Sequence, residues 1–388
     1  MNRQSSCLRV ALVVPHIFMN RDILPGVIFS PGHLALALAD GLCRSYVDVT
    51  LFSPGAVNTI AKNITTDLSL FQRELDGRGD SYLDLLRKHP ATFVTLARQV
   101  QAELIAKAYE MANQGYFDVV HIYTNEEELA MSFAKLCSKP VVFTHHDPYN
   151  FLVKYKNNFP KYKHLNWISM SYAQRAGMPD DTNWVGNIYH GLDDPILTPI
   201  KKPQDDYVAY LGRIIQPKGV HLAIAAVKQY NATALKPLKL KIAGKHYSEE
   251  GKDRYWREII ESQLGEDIEY VGFIDSSEAK RDFLGNARAL LVPSLFEEPF
   301  GMVTLEAFAC GTPVIAVGSG ALSEVIRDGV TGFIIERSEN EQVMIDDFAK
   351  KLGEIHSLRS EDCRDSYENN FTLDKMVNEH IRVYESLL

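Results

Sequence analysis

The densest chemistry in the chain lies in the run Phe296-Glu-Glu-Pro-Phe-Gly-Met-Val-Thr-Leu-Glu306. It follows an apolar run, Ala289–Val292, that reads as a strand, and it opens a helix at Gly301. The first amides of a helix have no intrahelical acceptor and stand at the positive end of its dipole, so Gly301, Met302, Val303 and Thr304 present an anion site. Gly301 lets a ligand come close to the backbone. Glu298 precedes the helix and Glu306 falls inside its first turns. Two carboxylates on either side of such amides suit a sugar nucleotide: Glu298 would accept from the sugar hydroxyls, Glu306 from the two ribose hydroxyls, and Phe300 would lie between them. Taken singly, either glutamate reads equally well as an acidic residue complementing the helix dipole.

A second group is Leu211-Gly-Arg-Ile-Ile-Gln-Pro-Lys-Gly219, after another strand-like run, with Pro217 placed to start a helix. Arg213 and Lys218 flank this loop. Two cations there suit a diphosphate whose charge grows as it departs; a solvated basic loop is the plainer reading. A third is Val141-Val-Phe-Thr-His-His-Asp147, where a buried strand delivers His145 and His146, one of which must face away from any site. His121, in Val119–Tyr123, and the polar run Asn125–Glu128 after it are weaker candidates of the same kind. Ser30-Pro-Gly-His33 reads first as helix initiation, with Ser30 as cap and Pro31 behind it, and second as a place where Gly32 admits a phosphate or an acceptor. Gly244, ending Ile242-Ala-Gly244, and Phe273-Ile274 after Gly272 fall where a nucleobase would sit. The basic and aromatic stretch from Lys154 to Lys163 reads as a solvated loop rather than a lipid-binding surface.

These groups all sit at ends of strands, and the elements around them explain why. In the first half the strand candidates are Leu8–Val14, Val47–Phe52, Val119–Tyr123, Val141–Thr144, Trp167–Ser169 and Asn183–Ile188. In the second they are Tyr207–Leu211, Leu238–Ala243, Ile268–Val271, Ala289–Val292, Pro313–Ala316 and Gly332–Ile335. Amphipathic segments such as Gly32–Arg44 and Thr92–Ala112 lie between them. Apolar strands alternating with helices predict parallel sheets covered on both faces, whose ligands bind at the carboxyl ends of the strands. The chain has 388 residues, which favours two domains. The proline-rich stretch Pro195–Gln204 reads as the linker between them, and Thr372–Leu388 as a final amphipathic helix with no strand after it.

The formal charge is -9, with 50 acidic and 41 basic residues, against the basic footprint of a nucleic-acid binder. Five scattered cysteines without a CxxC pair predict free thiols, and Cys43, Cys137 and Cys310 read as small core residues. The first residues lack a signal peptide's apolar core, and no run is long enough to span a membrane. Together these predict a cytoplasmic protein.

On these residues the chain resembles the GT-B glycosyltransferases, and among them the large retaining family 4. Glu298-x7-Glu306 with the following Ala307-Phe-Ala-Cys-Gly-Thr-Pro-Val-Ile-Ala316 is similar to that family's signature, and Gly212-Arg213 with Lys218-Gly219 to its phosphate-binding pair. Phe117-Asp-Val-Val-His121 and Thr144-His-His-Asp147 resemble its first-domain strands. The resemblance implies two Rossmann-like domains facing across a cleft: residues 1–197 on the acceptor side, 198–371 holding the donor, and 372–388 as a helix returning to the first domain. It implies a nucleotide-diphosphate sugar donor, UDP-linked by preference with GDP-linked as the alternative, no metal or other cofactor, and transfer of a hexose with retention to an unidentified acceptor. It makes His146 the active-site histidine and places Arg213, Lys218 and Glu298 in the reaction. The chain departs from the pattern at Ser30-Pro-Gly32, where the family often has Gly-Gly, and at Ser319-Gly-Ala-Leu-Ser-Glu324. Competing readings are a sugar-nucleotide epimerase or phosphorylase on the same scaffold and a non-catalytic sugar-nucleotide binder. A dinucleotide dehydrogenase is disfavoured, because Pro15–Asn20 lacks G-x-G-x-x-G after the first strand.

Overall fold

A computed structural model describes residues 7–19, 29–200, 207–246 and 253–388. The chain divides into two units: residues 1–170, 175–189 and 373–388 form the first, and 171–174 and 190–372 the second.

The first unit is built on a parallel seven-stranded sheet in the order β3-β2-β1-β4-β5-β6-β7. Its strands are β1 Arg9–Val13, β2 Asp48–Ser53, β3 Lys62–Thr65, β4 Val119–Tyr123, β5 Val141–Thr144, β6 Asn166–Ser169 and β7 Trp184–Asn187. Every residue of β4 and β5 is buried, as the uninterrupted apolar runs require of a sheet covered on both faces. The strand order reverses beside β1, whose neighbours are β2 on one side and β4 on the other. A crevice for a ligand is expected at such a switch point, outside the carboxyl ends.

One strand lay beyond the sequence reading. β3 is an edge strand, Lys-Asn-Ile-Thr, only half covered, so it lacks an apolar run. Two helices between β3 and β4, Ser69–Arg78 and Tyr82–Lys88, were likewise unrecognised. The helix Ser30–Arg44 is capped by Phe29 without a side-chain hydrogen bond, so Ser30 is its first residue and not its cap.

The last helix, Leu373–Ser386, packs within the first unit. A Cβ on Gly41 would stand 2.6 Å from Val377 Cγ2, so the helix Ser30–Arg44 and the terminal helix touch closely. Tyr384 is fully buried, its hydroxyl 2.7 Å from His121 Nδ1, while His121 Nε2 is 2.8 Å from Thr144 Oγ1. His121 therefore belongs to the core that anchors this helix. Burial, reinforced by His380, holds the His121 imidazole well below the usual histidine range.

The second unit carries a parallel six-stranded sheet in the order β10-β9-β8-β11-β12-β13. The strands are β8 Tyr207–Leu211, β9 Lys239–Ala243, β10 Ile268–Gly272, β11 Leu290–Val292, β12 Val314–Val317 and β13 Gly332–Ile335. Here the order reverses between β8 and β11. Each unit is thus a Rossmann-like α/β layer structure.

The chain leaves the first unit at Tyr189, ahead of the prolines that suggested a boundary at 197/198. The stretch from 195 to 200 is packed, not free. Leu197 is 1% exposed and its carbonyl accepts from Arg364 Nη1 at 3.0 Å, while Ile200 lies against Gly285. The remainder of the expected linker, 201–204, lies outside the described residues. Ser171–Gln174 is also held by the second unit. Ser171 Oγ donates to Pro299 O at 2.7 Å, and the Glu324 carboxylate accepts from the amides of Tyr172 at 2.9 Å and Ala173 at 2.5 Å.

All five cysteines are free thiols. Cys310 and Cys363 are the buried ones, Cys43 and Cys137 are only partly covered, and burial pushes the Cys310 thiol up to about 12. Among the described residues no helix is long and apolar enough to cross a membrane.

Candidate functional site

Each unit carries a polar cluster at the carboxyl ends of its central strands. In the second unit the cluster forms where β8 and β11 separate. The loop after β8 supplies Gly212, Arg213 and Lys218, and the loop after β11 supplies Ser294 and Glu298. The two loops are joined through their backbones, since Pro217 O accepts from Leu295 N at 2.8 Å and from Phe296 N at 3.2 Å. Gly219 makes this approach possible. Its φ is +67°, and a Cβ there would lie 2.0 Å from Pro293 O. Pro217 sits in a short 3-10 turn, Gln216–Lys218, and the α-helix proper starts at Val220.

Lys218 Nζ donates to Glu298 Oε1, which also accepts from Ser294 Oγ at 2.6 Å. Glu298 is 8% exposed, so its carboxylate is held by two donors in a largely dry setting. Its carbonyl accepts from Ala321 N at 2.8 Å, and Ser319 Oγ donates to Phe296 O at 2.6 Å. The variant Ser319–Glu324 segment thus braces the Glu298 loop and caps Ser171–Gln174. Arg213 lies on the same loop as Lys218 but is exposed, and its carbonyl accepts from Tyr210 OH at 2.9 Å. Burial, then the neighbouring Tyr255 and Glu298, raises the Tyr210 hydroxyl well above its usual range, against the pull of Arg213.

The helix Met302–Ala309 begins at Gly301, which has φ +92° and no side-chain cap. Met302 and Val303 are half-buried. Thr304 is fully buried, and its hydroxyl has no hydrogen-bond partner among the described residues. Phe300 is a core side chain, 2% exposed, with its ring 5.0 Å from His190 and 6.2 Å from Phe371. Glu306 sits one turn further on and accepts from Lys280 Nζ at 2.6 Å. Gly244 donates its amide to Gly272 O at 2.9 Å, and a Cβ there would meet Gly212 O at 1.8 Å, so β8, β9 and β10 end in tightly apposed backbone. Phe273 is exposed and Ile274 half-buried beyond that edge.

In the first unit β5 ends at Thr144 and separates the paired histidines. His145 is fully buried among the rings of Tyr149, Tyr155 and Phe159, with Nδ1 2.5 Å from Glu127 Oε1. His146 is half-buried; its ring meets Tyr123 edge-on at 4.7 Å, and its amide donates to Asn125 Oδ1 at 3.0 Å. A Cβ on Gly32 would press on the Phe29 ring at 2.7 Å and on Met19 Sδ at 3.0 Å.

Lys280 and Ser294 escaped the sequence reading, and neither lies in a recognisable motif, whereas Asn125 and Glu127 fall in the polar run Asn125–Glu128 that the sequence offers as a weaker candidate. Lys280 is on the helix Ser277–Gly285, and only the packing of that helix brings it to Glu306.

The fold is GT-B, by its two Rossmann-like units and by its likeness to solved glycosyltransferases. Sucrose-phosphate synthase from Thermosynechococcus elongatus superposes with a TM-score of 0.72 at 16% identity, over 98% of this chain and 99% of that one. The Anabaena protein HepE, solved in complex with UDP and glucose, superposes with a TM-score of 0.65 at 16% identity, over 98% and 100%. Residues 198–370 match the family described as glycosyl transferases group 1. Among curated relatives, the lipopolysaccharide 1,2-N-acetylglucosaminetransferase of Salmonella typhimurium is 33% identical over 149 residues. That alignment takes in 37% of this chain and 39% of the relative, so the chain spans well under half of that relative's length.

Proposed function

We propose that this protein is a glycosyltransferase that moves a hexose from a nucleotide-diphosphate sugar to an acceptor hydroxyl, with retention of anomeric configuration. The observation that carries this reading is the helix Met302–Ala309. Its uncapped amides lie between two carboxylates, each already held by a lysine: Glu298 by Lys218 and Glu306 by Lys280. A ligand with sugar hydroxyls at both ends and a diphosphate between them satisfies that whole set. The unpartnered Thr304 hydroxyl adds a donor on the same first turn.

In this reading the bond between the sugar's anomeric carbon and the diphosphate oxygen breaks, and a bond from the acceptor oxygen forms on the same face. The acceptor proton passes to the departing phosphate oxygen. Lys218, Arg213 and the helix amides stabilise the charge that grows there, which leaves no step needing a metal ion or other cofactor. Glu298 orients the sugar, and His146 is the residue that the first unit brings to the reaction. The second unit holds the donor and the first receives the acceptor. UDP is the favoured nucleotide, supported by the HepE structure with UDP and glucose, and a GDP-sugar satisfies the same groups. The cysteine spacing favours the reducing cytoplasm.

Titration calorimetry with UDP, GDP and their glucose and mannose conjugates tests the donor. Liquid chromatography of nucleotide released without acceptor tests the chemistry. Micromolar binding of one nucleotide and slow release from its sugar conjugate are expected. Binding without release marks a sugar-nucleotide binder, and the absence of both rejects the reading.

A further inference from the structure

The turn after β4 is unusual in its backbone. Thr124 has φ 153° and Glu126 has φ 73°, both in the region that non-glycine residues enter only when their surroundings impose it. The residue between them is Asn125. Its carboxamide acts in two directions at once: Oδ1 accepts from His146 N at 3.0 Å, and Nδ2 donates to Asp147 Oδ2 at 2.6 Å. An amide hydrogen demands an acceptor and a carboxylate demands a donor. Asparagine supplies both from one short, uncharged side chain.

The neighbouring residue completes the bracing. Glu127 is 1% exposed and engages His145 Nδ1 through Oε1, while its carbonyl accepts from Met131 N at 2.9 Å as the helix Glu128–Phe133 begins. Three successive residues after β5, at 145, 146 and 147, are therefore fixed by two residues of one turn after β4. The His146 ring is set against Tyr123, itself the last residue of β4.

We infer that Asn125 is a positioning residue for His146, holding its main chain so that the imidazole is presented in one orientation. This rests on the role given to His146 in the proposed transfer. In this proposal Asn125 acts through His146 and not on the substrates.

The test is a double-mutant cycle read on UDP release from UDP-glucose. Asn125→Ala is expected to lower kcat at least tenfold while KM changes less than twofold. The double variant with His146→Ala should be no more than twofold slower than His146→Ala alone, because the asparagine works only through the histidine. A wild-type kcat in Asn125→Ala, or losses that multiply independently, overturns the proposal. If the unmodified protein releases no UDP, the cycle is read on whichever sugar conjugate does release its nucleotide; if none does, the transfer reading has failed by itself, and the positioning claim is then decided by NMR. Asn125→Ala should move the His146 ring-proton resonance and leave those of His121 and His380 in place; an unmoved His146 resonance overturns it. If Asn125→Ala does not fold, Asn125→Asp, which keeps the acceptor but sets a carboxylate against Asp147, takes its place with the same expectations.

Discussion

Lys280 Nζ lies 2.6 Å from Glu306 Oε1, joining the helix Ser277–Gly285 to the helix Met302–Ala309 inside the second unit. Both side chains are largely covered, at 25% and 14% exposure, so the lysine fixes where the carboxylate points. Replacing it by Lys280→Met keeps the apolar stem and removes the charge-assisted bond. Calorimetry is expected to show UDP affinity weakened five- to tenfold, roughly the 1 to 1.5 kcal/mol of one such bond. Unchanged affinity would separate Glu306 from the nucleotide.

Glu298 and Lys218 form the other pair, with Ser294 as a second donor to the carboxylate. In the proposed reaction their work is done on the donor, so Glu298→Ala and Lys218→Ala should each lower turnover well over tenfold, with far-ultraviolet dichroism unchanged. Near-normal rates in both variants would remove this cluster from the chemistry.

In the proposed reaction, positive charge for the departing diphosphate comes from Lys218, Arg213 and the amides at Gly301 to Val303. Turnover should therefore persist in EDTA after exhaustive dialysis, within about twofold of the untreated rate. Strict restoration by an added divalent ion would contradict the metal-free mechanism.

Gly219 is constrained twice, by its φ of +67° and by Pro293 O at 2.0 Å from a would-be Cβ. Gly219→Ala must strain the backbone or part the two loops at the switch point. A loss of about 2 to 4 kcal/mol is expected in urea unfolding. A variant as stable as the parent would show that these loops are not held together as described.

His380 and His121 give the first unit an acid sensitivity. Burial lowers His380 to about 4 against the opposing bond to the Met376 carbonyl, and it also holds His121 well below the usual histidine range. Because both folded-state values lie below those of the unfolded chain, the unfolded state takes up protons first as pH falls. Stability is complete above about pH 6.5 and declines below it, and His380 alone accounts for on the order of 3 kcal/mol by pH 4. Thermal unfolding from pH 7.5 to 5 should show a falling midpoint, and His380→Asn should lessen the fall. An equal fall in both proteins would assign the acid sensitivity elsewhere.

The central strands were legible because a strand buried on both faces must be continuously apolar; β4, β5, β8 and β13 begin and end where the runs do. The edge strand β3 was not, because half-exposed Lys62-Asn-Ile-Thr65 carries no such run. Pro195–Ile200 looked like a linker by composition, yet Leu197 is buried in the second unit. Proline content reports backbone restriction and not whether a segment is covered.

By itself the sequence determined the alternation of strand and helix, the two parallel sheets, and the spacing that sets Glu298 before a helix start and Glu306 after it. Those are local matters of periodicity and chain geometry. Only the tertiary structure decided which histidine turns inward, that Ser294 and Lys218 share one carboxylate, and that Lys280 reaches the other. Lys218 and Glu298 are 80 residues apart, and Lys280 and Glu306 are 26 apart. Such pairs are set by strand order, by helix packing and by the close approach that Gly219 permits, and no spacing along the chain encodes them.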